Sequence, residues 1–463
     1  MDTPILDMLK GYYKKQRISF CMPGHKNGSG LCADFSSFSL DTTELADTDN
    51  LQNPTGAVLL AKKKAAEFYK SDETFFLVNG STGGIHTMLK SVCDFGDTVL
   101  VSRAIHVSVI NACILFGINP VFIEQEIIPE FNIPGDINPE NLKSLIKKYK
   151  PKAVFVTSPN YFGVSLNVSE ISKITHSFDI PLLVDEAHGA HFCADKNLFP
   201  EPAIVAGADM VVQSAHKTLN APNQTAFLHL KSDKIDAHKV QTVLNMLQTS
   251  SPSYLMCAAL DYARYELSSS GKEMWQDAIK NAKDLKKKIS PYYKVLKDVQ
   301  NADCTRIVIN LSGYRCTGYE LSDILRLRYN IDIEMADAKN LVLIATSANK
   351  KSDFEAVGNA LVAEAKKLTP CIDNTLIPTL PKIDMVMSPN DAFRAKHTAY
   401  DIMNSAGKIC SKTLFSYPPA MPITVPGARI TGEVIEYILK VQQMGAQLTG
   451  LLQGGQIEIV EEN

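Results

Sequence analysis

The chain has 463 residues, 45% hydrophobic and 21% charged, with a formal net charge of −3 at pH 7. These are globular values; they predict two or three domains and give no basic footprint for nucleic acid or an anionic membrane surface. No run of about 18 apolar residues exists to span a bilayer. The opening Met-Asp-Thr-Pro-Ile-Leu lacks the basic-then-apolar form of a signal peptide. Ten cysteines without a CxxC pair or metal-ligand spacing read as small core residues of a reducing compartment, so a cytoplasmic protein with no metal site is expected.

Taken in order, an amphipathic segment at Leu6–Tyr13 predicts a short helix in an N-terminal arm over 1–50. His25 and Lys26 fall on a loop marked by Pro-Gly and Asn-Gly. Val58–Tyr69 has helical apolar spacing. Phe75–Val78 is a short buried strand that runs into Asn79-Gly80-Ser81-Thr82-Gly83-Gly84, with a helix from Ile85 to Val92. Strand, Gly/Ser/Thr loop and helix form the layout of an anion site, in which backbone N–H groups and two hydroxyls wrap a phosphate. The same residues also fit an ordinary helix cap by Ser81 or Thr82. Thr98–Val101 is a strand leading to His106, an imidazole that either caps a helix or stacks on a planar ring. Pro120–Ile123 is a strand, 124–138 a loop, Asn141–Tyr149 a helix, Ala153–Thr157 a strand and Val168–Phe178 a helix. This alternation predicts a mostly parallel sheet covered on both faces.

Two later strands carry the chemistry. Ile180–Val184 ends at Asp185-Glu186-Ala187-His188. Ala208–Val212 is followed by Gln213-Ser214-Ala215-His216-Lys217. A lysine just past a buried strand is either a solvated loop residue or an amine held against an electrophile. Desolvation and nearby positive charge favour its neutral form, which can condense with an aldehyde. Asp185 and Lys217 are 32 residues apart, about one strand–helix–strand unit, so both sit at carboxyl ends of parallel strands, where such sheets bind ligands. Pyridoxal phosphate (PLP) asks for this pair, a Lys for the aldehyde and an acid for the pyridine nitrogen.

Beyond this point Ile235–Leu247 is helical and ends at Thr249-Ser250-Ser251-Pro252, and a long helix covers about Tyr254–Ile289. From Asn301 the pattern becomes that of a smaller α/β domain, with strands at Arg306–Leu311, Ile331–Glu334 and Leu341–Ile344. A proline-rich extended segment, 417–427, precedes a closing helix at Ile430–Gln443. The predicted domains are the arm 1–50, a large cofactor-binding domain 51–295 and a C-terminal domain 296–463.

Across MPGHKNG (22–28), DTTEL (41–45), LQNPTG (51–56), FFLVNGSTGG (75–84), VDEAHGAHF (184–192), GADMVVQSAHKTL (207–219) and YPPAMPITVPG (417–427), the chain resembles the ornithine/lysine/arginine decarboxylases of the aspartate-aminotransferase fold (fold type I), in their short bacterial form. The resemblance implies PLP as cofactor and a catalytic set of Lys217, Asp185, His106 and His188. It implies that Lys217 bonds the cofactor aldehyde, Asp185 pairs with the ring nitrogen and His106 stacks on the ring. Ser81, Thr82, Gly83, Ser214 and His216 would hold the phosphate, Ala187 would pack under the ring, and His188 would lie near the reacting carbon. Thr249 would reach the phosphate of a neighbouring subunit, which makes a homodimer the minimum assembly. The implied reaction is decarboxylation of a basic L-amino acid for polyamine metabolism, arginine first, then lysine or ornithine.

Three positions depart from the family pattern: the polar residues usual around His106 are replaced in Arg103-Ala104-Ile105-His106-Val107-Ser108, a usual Gly is Ala420, and a usual Glu is Ala428. The acids Asp303, Glu334 and Asp337 read as solvated. Two other readings remain: a different fold-type-I reaction such as transamination or aldol cleavage, and a degenerate PLP-binding regulator.

Overall fold

The computed structural model describes residues 2–15, 38–45, 47–297, 299, 301–371, 379–416 and 420–461. The loop carrying His25 and Lys26 lies outside them, as do residues 417–419. The chain divides into two compact units, 1–92 with 181–274, and 93–180 with 275–463.

The first unit contains α1 (Pro4–Lys14), α2 (Ala57–Tyr69), β1 (Glu73–Leu77) and α3 (Gly80–Val92). The second contains β2 (Thr98–Ser102), α4 (Val107–Phe116), β3 (Asn119–Ile123), β4 (Gln125–Ile128), β5 (Ile133–Ile137), α5 (Pro139–Tyr149), β6 (Ala153–Thr157) and α6 (Val168–Ser177). The chain then returns to the first unit for β7 (Leu182–Asp185), β8 (Met210–Ser214), the single turn α7 (Ala215–Thr218), β9 (Ala226–Leu230) and α8 (Ala237–Leu247), before the long helix α9 (Tyr254–Ile289). The strands of the central sheet run β1-β9-β8-β7 in the first unit and β6-β2-β3 in the second. β7 and β8 are parallel, as are β6, β2 and β3, whereas β9 is antiparallel to both β8 and β1. The sheet is therefore mostly parallel, as its near-continuous apolar strands predict.

The C-terminal part of the second unit adds an antiparallel sheet of β10 (Lys294–Val295), β11 (Arg306–Asn310), β12 (Met335–Ala336) and β13 (Asn340–Ile344), in the order β10-β11-β13-β12. Among the described residues no helix is long and apolar enough to cross a membrane.

Several expectations change. The 124–138 loop contains the hairpin β4–β5, paired Ile128 to Ile133 and Ile127 to Pro134. Its cue is the period-2 burial of Ile133, Gly135 and Ile137, hidden in the sequence by the Pro and Gly between them. The strand expected at Ile331–Glu334 is shorter and later, at Met335–Ala336, because Asn330 takes a left-handed turn (φ 53°) after the preceding helix and only the later residues pair with β13. Asp303 is buried rather than solvated. Its Oδ1 accepts from the Thr305 amide at 2.8 Å and the Thr305 hydroxyl at 2.6 Å.

Asp49 explains much of the acidic stretch before α2. Its carboxylate accepts backbone N–H groups from Asn50 (2.9 Å), Thr55 (2.9 Å), Gly56 (2.8 Å) and Val58 (2.8 Å), and the Tyr254 hydroxyl donates to its carbonyl. The Asn-Pro-Thr-Gly turn is thus wound around one anion at a helix start. Burial pushes the Asp49 carboxyl upward, but the four amides outweigh it and hold the group below its ordinary range.

In the second unit, Arg103 is 4% exposed and donates to carbonyls of Pro381 (2.7 Å), Pro422 (2.8 Å) and Ile423 (3.3 Å); burial draws its guanidinium down to about 10. Four residues on, the Val107 amide donates to Ala420 O at 3.1 Å. The departures before α4 and at Ala420 thus meet in one contact. Ala420 holds φ at 58°, a left-handed conformation that favours glycine.

Ala420→Gly is expected to raise unfolding stability by about 0.5–1 kcal/mol, the left-handed relief less the added freedom of the unfolded chain; urea denaturation measures it. Asp49→Ala should cost about 2–3 kcal/mol. Because the folded carboxyl is the more acidic, that contribution is present above about pH 4 and is lost as pH falls through the folded value. Wild type and variant should therefore converge in acid urea melts.

Candidate active site

The pleat of β8 sorts the site. Val212 and Ser214 face one side of the sheet and Gln213 the other. The parallel register sets Asp185 opposite Val212, so Asp185, Val212 and Ser214 share a face. α3 packs on that face: a Cβ on Gly84 would come within 2.5 Å of Val212 Cγ2 and 2.8 Å of Leu77 Cδ1. Only a glycine lets the first turn of α3 approach so closely. The helix begins at Gly80, not at Ile85, so Ser81, Thr82 and Gly83 form its first turn, where backbone N–H groups lack helical acceptors.

Lys217 is half-buried on α7, and its Nζ lies 3.2 Å from His188 Nε2. Asp185 is 3% exposed, and the Ala187 amide donates to its Oδ1 at 3.0 Å. Burial raises the Asp185 carboxyl, while the Lys217 charge and the Ala187 amide pull it down. Ala187 and His188 are buried in the turn after β7. His216 Nδ1 sits 2.9 Å from Thr225 O. That nitrogen therefore donates to the carbonyl, and Nε2 is left to face a ligand. Burial lowers the ring's proton affinity, the Thr225 bond opposes this, and Lys217 adds to it.

Ser214 is fully buried at the end of β8, and its Oγ has no partner among the described residues. A buried hydroxyl without a partner costs stability, and this one points to a polar ligand. The orphaned hydroxyl, the glycine-tight helix start, the buried carboxylate and the adjacent lysine fit the donor set that PLP requires.

Two other expected residues are held by local contacts of their own. His106 belongs to the second unit, where it caps α4; its Nδ1 lies 2.8 Å from Ser108 Oγ and accepts the Ser108 amide. Thr249 is exposed after α8, with its Oγ 3.3 Å from Ser251 Oγ and accepting the Ser251 amide. Gln213, His229 and Thr74 are lone polar residues within otherwise apolar strands and Glu186 follows β7, and none of the four stands out in the sequence.

A family profile described as "Orn/Lys/Arg decarboxylase, major domain" matches residues 3–311, and its "C-terminal domain" counterpart matches 375–458. The chain belongs to the Orn/Lys/Arg decarboxylase family. It is 33% identical over 470 residues to an arginine decarboxylase of Bacillus subtilis (strain 168), covering 97% of this chain and 95% of the relative. It is 25% identical over 330 residues to the biodegradative arginine decarboxylase of Escherichia coli (strain K12), covering 63% of this chain and 43% of that one. Among solved structures, the lysine decarboxylase LdcF of Francisella novicida superposes with a TM-score of 0.85 at 18% identity, over 99% of this chain and 81% of that chain. A serine palmitoyltransferase of Sphingomonas wittichii gives 0.58 at 15% identity, over 80% and 86%. The fold is thus that of fold-type-I PLP enzymes, and family membership makes the chain an amino-acid decarboxylase.

Ser214→Ala should leave the cofactor-free protein as stable or slightly more so, since it deletes an unpaired buried hydroxyl. It should weaken PLP binding by about 1.5–3 kcal/mol, on the order of 10–100-fold. Melting curves of the cofactor-free protein and a PLP titration separate the two effects.

Proposed function

We propose that this chain is a PLP-dependent decarboxylase that converts a basic L-amino acid, arginine first and then lysine or ornithine, to the amine and CO2. The observation that carries the reading is the Lys217–His188 contact beside a buried Asp185 on adjacent parallel strands. Arginine leads because Bacillus relatives that match nearly the whole chain carry that name.

Lys217 would bond the cofactor, Asp185 would face its ring nitrogen, and Ser81, Thr82, Gly83, Ser214 and His216 would hold its phosphate. Bound PLP supplies the electron sink for the carbanion left when CO2 departs. Ala187 fixes the Asp185 carboxylate through its N–H and would pack under the ring. His188 Nε2, at hydrogen-bond distance from Lys217 Nζ, holds a proton there or passes one, which makes this pair the source for protonation at the substrate Cα. With Nδ1 committed to Thr225, His216 donates to a phosphate only through a protonated Nε2. His106 would stack on the ring, and Thr249 would contribute to the site of a neighbouring subunit in a homodimer or larger homo-oligomer. A cytoplasmic role in polyamine metabolism completes the reading.

The test is CO2 release from arginine, lysine and ornithine by protein reconstituted with PLP. One of the three should turn over, and Lys217→Ala should lose on the order of 10³-fold or more in rate together with the visible absorbance of lysine-bound cofactor. A keto acid product in place of CO2 and amine would instead establish transamination.

A further inference from the structure

Behind the Asp185 face, the pleat puts a second set of polar groups that the reaction does not use. Glu186 Oε1 accepts the Ala203 amide at 2.8 Å, and Oε2 lies 2.6 Å from Gln213 Nε2. Gln213 Oε1 is 3.1 Å from His229 Nε2, His229 Nδ1 is 2.8 Å from Thr74 Oγ1, and Thr74 Oγ1 is 2.9 Å from Ser71 Oγ. Glu186 is 1% exposed; Gln213, His229 and Thr74 are fully buried, and Ser71 is half-buried. The line crosses three strands: Thr74 of β1 pairs directly with His229 of β9, and His229 pairs with Val211 of β8, two residues before Gln213 on the same face. Tyr69 from α2 covers it, with its ring 4.4 Å from that of His229. Gly189 admits the Glu186 side chain, since a Cβ there would come within 2.6 Å of Glu186 Cγ.

Such a line is tolerable in an apolar core only when every link is made, and this one closes in two ways. In one polarity an ionised Glu186 accepts from the Gln213 amide, Gln213 accepts from His229 Nε2–H, and Thr74 donates to Nδ1. In the other, a protonated Glu186 donates to Gln213, whose amide is turned over. Gln213 then donates to His229 Nε2, and His229 Nδ1–H donates to Thr74, which donates to Ser71. The two differ by one proton, released to solvent, and by the tautomer of His229.

We propose that Glu186 is a positioning residue for Asp185, keeping a proton so that the negative charge of the adjacent pair resides on Asp185, and that the Gln213–His229–Thr74–Ser71 line is the two-polarity element that accommodates this proton. The role toward Asp185 rests on the decarboxylase reading; the behaviour of the line does not. Adjacent buried acids do not both ionise readily. Burial pushes Glu186 up to about 8, the bonds from Gln213 and Ala203 oppose this, and the Asp185 charge adds to it. Burial takes His229 down to about 3, so its ring stays neutral and changes tautomer instead. The other titratable groups that act on Glu186 are Tyr69 from α2 and Cys193 after β7. Burial raises both, which keeps them neutral near pH 8. Lys217 reaches the pair through Asp185.

The test follows ¹⁵N-histidine NMR of the full chain, with and without added PLP. His229 should be Nδ1–H at pH 6.5 and Nε2–H at pH 9.5. Glu186→Gln, whose amide donates as the protonated acid would, should lock it as Nδ1–H at both. The folded carboxyl holds its proton above the ordinary glutamate range. Urea stability of the cofactor-free wild type should therefore fall as pH rises from about 4.5 to 8 more steeply than that of the variant. In the loaded protein, the pH midpoint of cofactor absorbance should move in Glu186→Gln. A single His229 tautomer across this range in wild type overturns the line, whether or not the variant folds. An unmoved absorbance midpoint overturns the role toward Asp185. A Glu186-dependent tautomer change in a chain that fails to bind PLP supports the line and removes the decarboxylase reading alone.

Discussion

The parallel register that sets Asp185 of β7 against Val212 of β8 organises the first unit. It brings two strand ends level, so that the carboxylate, the Ser214 hydroxyl and, one short turn later, Lys217 come from adjacent strands. Side chains alternate across a strand, so the same register decides which groups share a face. Val212 then forms the floor on which α3 rests, and Gly84 removes the Cβ that would hold its first turn away. The Gly80–Gly83 helix start and a carboxylate-bearing strand end become neighbours through packing rather than through any attraction between them.

The opposite face uses the same constraint differently. Glu186 and Gln213 point away from the Asp185 face and meet His229 and Thr74 in an interior otherwise filled by Tyr69, Phe76 and Phe227. Burying four polar side chains there is costly unless each is bonded, and the ladder spacing of three adjacent strands supplies the required distances. Two consecutive acids thus face opposite sides of the sheet, Asp185 toward α3 and Lys217 and Glu186 toward this line. Their charges are therefore coupled across the sheet.

In the second unit, the segment before α4 is held by main-chain acceptors. Arg103 is paired with three carbonyls rather than with a carboxylate, a desolvated cation kept by charge-assisted hydrogen bonds. Those carbonyls belong to 381 and 422–423, and Ala420 meets Val107 beside them. Changes that look independent along the chain, around His106 and at Ala420, are therefore a single packing feature.

The sequence by itself determined the alternation of strands and helices, the strand that ends at Asp185 and the strand that ends shortly before Lys217, because apolar periodicity and short motifs are local properties of the chain. It carried the family as well, through motifs spread almost end to end. Only the tertiary structure decided what depends on register and burial. The 124–138 segment is a hairpin because Ile133, Gly135 and Ile137 find a buried side. Ile331–Glu334 is not a strand because the ladder begins one residue later. Asp303 is buried because Thr305 satisfies it. Gln213, His229 and Thr74 gave no local signal, since a lone polar residue in an apolar strand reads the same whether solvated or bonded. Their meaning exists only when three strands from distant parts of the chain are laid side by side.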